Sequence, residues 1–403
     1  MIGRHCSLKA VQELSPGASR NISSLKILHV TPWFYPALVY GGPAYSVYGL
    51  CQSLVRQGCQ LRVLTTDANG PGSVLNVKTR EDVEVSPGLF VRYCHRVTDV
   101  SVSPTLLRLL VSQVGWAHVI HLTAVYSFPT IPTLLACRMM GKPVVWSPRG
   151  MLQRWEGTSH RQLKEIWEKV CRVAAPKTLL LHVTSEEEAR ESEHRLPGVN
   201  TVLVPNGVEI PSRIGRVKDD GHFRLAYLGR LHPKKGIENL LSAYKMVNGN
   251  LGVTSSLIIA GAGDAEYTET ISIQIHKLGL SQRVKMIGHV AGQTKKKLFE
   301  CADVVIVPSH TENFCLVVAE ALAHGVPVIA SRGTPWKRLE DIGCGLWVDN
   351  DPRTLAEAIK RISAMPRRDM GLRGREWMQM EFVWDSVAEK MIHAYRKLLP
   401  NLQ

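Results

Sequence analysis

Apolar residues along the chain gather in short, nearly continuous runs separated by longer stretches with helical spacing. In the first half the runs are LKILHVT (25–31), QLRVLTT (60–66), HVIHL (118–122), PVVWSPR (143–149), LLLHVTS (179–185) and NTVLVPN (200–206). In the second half they are FRLAYLG (223–229), SLIIAG (256–261), RVKMIG (283–288), ADVVIVP (302–308), VPVIAS (326–331) and GLWVD (345–349). A strand that is polar on one face alternates, whereas a continuous run suits a strand covered on both faces. Such runs between helical segments predict parallel sheets sandwiched by helices. The expected architecture is therefore α/β, with two doubly wound parallel-sheet domains. A ligand crevice is expected beyond the carboxyl ends of the strands.

The stretch GVEIPSRIGRVKDDGH (207–222) has proline, glycine and mixed charge but no apolar period. It divides the chain into a polar leader (1–24), a first domain (25–208), a linker (209–222), a second domain (223–381) and a C-terminal helix (382–403). That last helix places Val383, Val387, Met391 and Tyr395 four apart, a stripe that must lie against another surface. At 403 residues two cores are the natural expectation.

An apolar share of 45% with 21% charged residues fits a soluble globular chain, and no apolar run is long enough to span a bilayer. The leader has no apolar h-region, so no secretory signal is expected. Nine scattered cysteines without a C-x-x-C pair predict buried thiols in a reducing compartment, the cytoplasm, and argue against a disulfide frame or zinc site. The net charge of +14 points to anionic partners. It divides as +8 up to Val208 and +6 beyond, with no basic tail and no nucleic-acid module, so nucleic acid is not an expected partner.

Candidate chemistry begins with HTENFCLVVAEALAHGVPVIA (310–330), where Glu312 and Glu320 flank an apolar helix start. Glu312 falls in a strand-to-helix loop, and the amides of Asn313, Phe314 and Cys315 fall at the helix N-terminus, where free N–H groups favour anions. One carboxylate suits sugar hydroxyls and the other a ribose. The alternatives are a dipole-stabilising acid at position 312 and an exposed helix glutamate at position 320. The second is strained by apolar neighbours on nearly every side. In LGRLHPKKGIENLLSAY (228–244), Arg230 and Lys235 converge at a strand end and helix start, which suits a diphosphate. A solvated basic loop is the plainer alternative. In VYGGPAYSVYGLCQSL (39–54), Gly41-Gly42 lets backbone approach a ligand, or is an ordinary turn.

Together the Gly-Gly loop, G-R-L-x-x-x-K-G (229–236), E-x7-E (312–320) and PNGV (205–208) resemble the family 4 glycosyltransferases of the GT-B fold, over about residues 25–400. SPRGML (147–152) and GTPW (333–336) are similar to a subgroup that builds surface polysaccharides. The resemblance implies two Rossmann-like domains facing a central cleft, with the C-terminal helix crossing back to the first domain. It implies retaining, metal-independent transfer from a nucleotide-sugar donor, UDP- or GDP-linked, to a glycan or lipid-linked acceptor, with no cofactor. Arg230 and Lys235 would bind the diphosphate. Glu312 and residues 313–315 would hold the sugar, and Glu320 the ribose. Gly41 and Gly42 would face the diphosphate or acceptor, and His121 would lie near the reacting carbon. A non-catalytic nucleotide-sugar-binding scaffold and a GT-B sugar-nucleotide epimerase are the competing readings.

The sequence departs from that pattern in places. The family's H-x-H is His121-Leu122-Thr123 here, and its E-G-F-G is Glu312-Asn313-Phe314-Cys315. His121 also reads as a core histidine, while Thr123 and Arg149 are candidate acceptor or phosphate contacts. Asp349-Asn350-Asp351 mimics a metal-binding D-x-D, but Asp351 before Pro352 and a helical run reads as an N-cap. The segments 103–116 and 160–177 mix bases with apolar residues. They are candidates for peripheral contact with the inner face of the membrane, or else two solvated surface helices.

Overall fold

The computed structural model describes residues 25–154, 160–215 and 220–400, so the polar leader lies outside the described residues. The first domain runs β1 (Lys26–Val30), α1 (Gly42–Arg56), β2 (Gln60–Thr66), β3 (Val83–Ser86), β4 (Leu89–Cys94), α2 (Pro104–Trp116), β5 (Val119–Thr123), α3 (Thr130–Met139), β6 (Val144–Ser147), α4 (Arg161–Ala174), β7 (Leu179–Val183), α5 (Glu186–Arg195) and β8 (Asn200–Leu203). The second runs β9 (His222–Leu228), α6 (Ile237–Val247), β10 (Thr254–Ala260), α7 (Ala265–Lys277), β11 (Val284–Met286), α8 (Gly292–Cys301), β12 (Val304–Val307), α9 (Leu316–Ala323), β13 (Val328–Ser331), α10 (Leu339–Ile342), β14 (Gly345–Val348), α11 (Pro352–Ser363) and α12 (Arg367–Glu381). The chain ends in α13 (Trp384–Lys397).

The strands form two sheets, ordered β3-β4-β2-β1-β5-β6-β7-β8 and β11-β10-β9-β12-β13-β14. Strand order reverses between β1 and β5 in the first sheet and between β9 and β12 in the second. Crevices in doubly wound sheets open at such switch points. The first sheet departs from the expected all-parallel pattern, because β3 pairs antiparallel with β4 at its edge. That hairpin, VEVSPGLFVRYC, mixes exposed and buried positions around a Pro-Gly turn, so it shows no continuous apolar run.

Each sheet is covered on both faces. In the first domain α1 and α13 cover one face and α2, α3 and α4 the other. In the second, α6, α7 and α11 cover one face and α8, α9 and α12 the other. The apolar stripe of α13 therefore packs into the first domain, with Val387, Met391 and Tyr395 buried there. Its entry is pinned by a bridge between Val383 and Val208 and by the Trp384 indole. A methyl group at Gly49 or Gly207 would overlap that ring, which accounts for glycine at both positions. Asp385 then accepts hydrogen bonds from Ser53 (2.6 Å) and Arg56 (2.9 Å) of α1.

Candidate active site

Glu312 leaves β12 in a loop whose shape is set from several sides. The Glu312 amide donates to the Gly333 carbonyl (2.8 Å), and the His310 amide donates to the Lys234 carbonyl (2.9 Å). The second bond draws the Pro233–Lys235 turn against the loop. Gly236 closes that turn at φ +63°, with the Pro308 carbonyl where a β-carbon would go. Only glycine accepts both conditions cheaply. As a result Lys235 forms an ion pair with Glu312, and Ser309 donates to the same carboxylate oxygen (2.7 Å). Burial pushes the Glu312 carboxyl up, but the Lys235 ammonium, the Ser309 hydroxyl and nearby Lys234 outweigh it and hold it below its ordinary value. Burial likewise lowers Lys235, and Glu312 more than reverses it, so that the ammonium is held above its ordinary value. Both groups are charged at neutral pH. Arg230, one turn upstream at the end of β9, is exposed.

The helix start completes this cationic corner. Among the described residues no backbone carbonyl takes the amide hydrogens of Asn313, Phe314 or Cys315, so three donors lie at the N-terminus of α9. Cys315 adopts the left-handed conformation (φ +63°) where the family pattern has glycine. Phe314 turns inward against Trp336, whose indole donates to the Phe314 carbonyl (2.6 Å). Glu320, five residues into α9, is partly buried and pairs with Lys295 of α8 at 2.6 Å. Burial raises its carboxyl pKa, more than the Lys295 ammonium lowers it. Lys295 is the partner that the sequence reading did not supply, and the run Lys295-Lys296-Lys297 was its only signal.

The first domain faces this corner. Gly41 caps α1 at φ +69° with open space beside it, and Gly42 sits 3.2 Å (ideal β-carbon) from the Leu316 side chain. The Tyr45 ring lies 5.6 Å from the Lys295 ammonium. Asn313 reaches across to donate to Thr184 (2.9 Å), and Gly150 lies so close to Asn313 that a β-carbon there would come within 2.8 Å. Thr184 and Gly150 are themselves held by Glu188, whose carboxylate accepts from the Gly150 amide (2.6 Å) and the Thr184 amide (2.7 Å). Beside this contact a cavity of about 310 Å³ lies between the domains, lined among others by Thr184, Phe314, Lys337, Trp347, Trp377 and Glu381.

Three expected site residues are buried. His121 lies in the middle of β5, fully buried; its Nδ1 bonds the Tyr395 hydroxyl (2.5 Å) and its Nε2 the Ser147 hydroxyl (2.6 Å). With both nitrogens engaged it is a core histidine, not a group beside a reacting carbon. Thr123 is buried against His29 Nε2 (2.8 Å). Arg149 is buried; it donates to Asn206 (2.5 Å), and its Nε has no hydrogen-bond partner among the described residues. The cause is the register: β1 and β5 align His29 beside His121, and the two rings stack at 4.5 Å inside the sheet. Asp351 caps α11, accepting from the amides of Arg353 and Thr354 at 3.0 Å each. Arg230, Lys235, Glu312, Asn313, Cys315 and Glu320 do come together, opposite Gly41 and Gly42.

Comparison with known proteins places this geometry. Residues 40–210 match the model of Glycosyltransferase Family 4, and residues 212–377 that of Glycosyl transferases group 1. An uncharacterized glycosyltransferase of Methanocaldococcus jannaschii is 28% identical over 92% of this chain and 98% of its own. A D-inositol 3-phosphate glycosyltransferase of Segniliparus rotundus is 29% identical over 50% of this chain and 46% of its own. Among solved structures, sucrose-phosphate synthase from Thermosynechococcus elongatus is similar with a TM-score of 0.72 at 22% identity, covering 93% of this chain and 99% of that one. Anabaena HepE in complex with UDP-glucose is similar with a TM-score of 0.70 at 18% identity, covering 93% and 100%. Two Rossmann-like domains, the crossing C-terminal helix and family matches spanning both halves lead to one assignment: the chain belongs to the family 4 glycosyltransferases of the GT-B fold.

Proposed function

We propose that the protein transfers a sugar, of the hexosyl type, from a UDP- or GDP-linked donor to a glycan or lipid-linked acceptor. The transfer retains anomeric configuration, needs no metal and takes place in the cytoplasm during surface polysaccharide assembly. The observation that carries this reading is the partly buried Lys235–Glu312 pair beside Arg230 and the amides of residues 313–315 at the start of α9, facing Gly41 and Gly42. Anabaena HepE, of the same fold, binds UDP-glucose.

In this reading the donor diphosphate lies between Arg230, Lys235 and the amides of residues 313–315. Glu312 accepts from sugar hydroxyls, and Glu320 from the ribose. The bond from the anomeric carbon to the diphosphate oxygen breaks, with its electron pair passing to the diphosphate. The fixed cations stabilise that charge as it develops, in a site that needs little reorganisation. The acceptor hydroxyl then bonds to the anomeric carbon on the same face, and its proton passes to the departing diphosphate. The enclosure of His121 favours this route, since that imidazole has no access to an acceptor. The aromatic lining of the interdomain cavity suits a glycan acceptor.

A second reading, binding without transfer, draws on Asn313, which occupies the cleft where the family pattern has glycine and is bonded to Thr184. An epimerase that hydrolyses and rearranges its own donor, with water taking the sugar, is the third. UDP-, GDP- and ADP-sugars are incubated in EDTA with and without an acceptor-bearing membrane extract, following nucleoside diphosphate release and product anomeric configuration by NMR. Acceptor-dependent release with retention supports transfer. Binding without release supports the second reading, and acceptor-independent release the third.

A further inference from the structure

The inner and outer sides of α4 are both apolar, and only the inner side is used. Inward, Cys171 and Ala174 are buried, the Trp167 indole donates to the Val125 carbonyl (2.8 Å), and Glu168 is paired with Arg154. Outward, Leu163, Ile166, Val170 and Val173 recur at intervals of three, four and three residues, a single stripe along the helix. Leu163 is 65% exposed and Val173 73%. The stripe continues onto α3, which Arg138 ties to α4 through the Val173 carbonyl, and there Met139 is 85% exposed. On α2, Leu107 and Val111 are exposed as well. Exposed apolar side chains gathered on neighbouring helices in this way are costly in water and mark a contact surface.

The charge around the band identifies its occupant. Arg108, Arg138, Lys169 and Arg172 stand exposed on these three helices. Against them Glu165 is the one exposed acid among the residues of α2, α3 and α4, since Glu168 is buried. An apolar stripe flanked by bases matches an anionic bilayer surface, where the side chains enter the headgroup boundary and the bases meet lipid phosphates.

We propose that the outer faces of α2, α3 and α4 form a docking surface for an anionic membrane leaflet. In a doubly wound domain the helices start at the carboxyl ends of the strands. Arg161 of α4 therefore begins on the cleft side, eleven residues after Gly150, which touches Asn313. Docking along α4 would hold the cleft mouth close to the lipid headgroups. The inference that this brings a lipid-linked acceptor to the donor rests on the proposed transferase function; the docking surface itself does not.

The test is flotation with phosphatidylcholine vesicles, with and without phosphatidylglycerol, at low and high salt and without donor. Wild type should bind the anionic vesicles, and more weakly as salt rises. The Ile166→Glu/Val173→Glu variant changes only outward positions; it should lose binding by about tenfold or more with its circular dichroism and donor turnover unchanged. Absence of wild-type binding, or equal binding by the variant, would overturn the proposal. So would a dimer in sedimentation equilibrium that the same variant dissolves in the absence of vesicle binding, because the stripe would then be covered by a second copy. Turnover is read separately, so failure of docking and failure of transfer remain distinguishable.

Discussion

Replacing Lys235 with methionine and Glu312 with leucine, singly and together, separates what their pair does for the fold from what it does for catalysis. The side chains keep only 19% and 12% of their surface exposed, so each single substitution strands a poorly solvated charge. Breaking a fully buried pair costs about 3–5 kcal/mol. The remaining exposure, the Ser309 hydroxyl and Lys234 soften this, so about 2 kcal/mol is expected for each single variant. The double variant leaves neither charge and should lie within about 1 kcal/mol of wild type, a coupling of about 3 kcal/mol. Urea unfolding at pH 7 measures these values. Acid should remove the benefit of Glu312: its folded pKa is depressed, so its contribution is complete above the ordinary carboxylate pKa and fades as pH falls through the folded value. Donor turnover, by contrast, should not recover in the double variant. Each lost charged hydrogen bond in the transition state costs about 1.5–3 kcal/mol, roughly 10- to 150-fold in rate. Recovery of turnover along with stability in the double variant would refute the catalytic role. Single variants as stable as wild type would refute the burial argument.

The buried histidines make stability pH-dependent. Burial, helped by Arg149, lowers His29 to about 3, and burial holds His121 and His182 well below their ordinary value. The unfolded chain therefore takes up protons first. Stability should fall as pH drops below about 6.5, by up to about 1.4 kcal/mol per pH unit for each ring; a His29→Gln variant should show a slope shallower by one proton. Gly236→Ala forces a β-carbon onto the Pro308 carbonyl at a left-handed position. It should cost more than about 2 kcal/mol in chemical unfolding, adding backbone strain to displacement of the loop, and should weaken donor affinity in calorimetry. Asn313→Gly removes the hydrogen bond to Thr184, so small-angle scattering of the free protein should give a larger radius of gyration.

Much of the fold was legible because buried parallel strands announce themselves as continuous apolar runs, and α13 announced itself by its fourfold stripe. The β3–β4 hairpin was not legible, since its strands mix exposed and buried positions and lack that run. In the site, residues close in sequence were the readable ones: Glu312 with its helix start, and Arg230 with Lys235. Contacts between distant segments were not. Nothing near Glu320 announces Lys295, and nothing near Asn313 announces Thr184, 129 residues away. His121 misled for a related reason, since a histidine in an apolar strand run has the same local pattern whether it meets a ligand or a neighbouring ring. The register that stacks it on His29 is a property of the sheet, not of either segment alone.

The central claim is that the corner formed by Arg230, Lys235, Glu312 and the α9 amides is a donor diphosphate site. The most direct measurement is calorimetric titration of UDP and GDP into wild type and Lys235→Ala, with EDTA present throughout. The account predicts one-to-one binding of at least one nucleotide by wild type and at least a roughly tenfold loss in the variant, matching one charged hydrogen bond. Equal affinity in the two proteins, or no binding of either nucleotide by wild type, would contradict it.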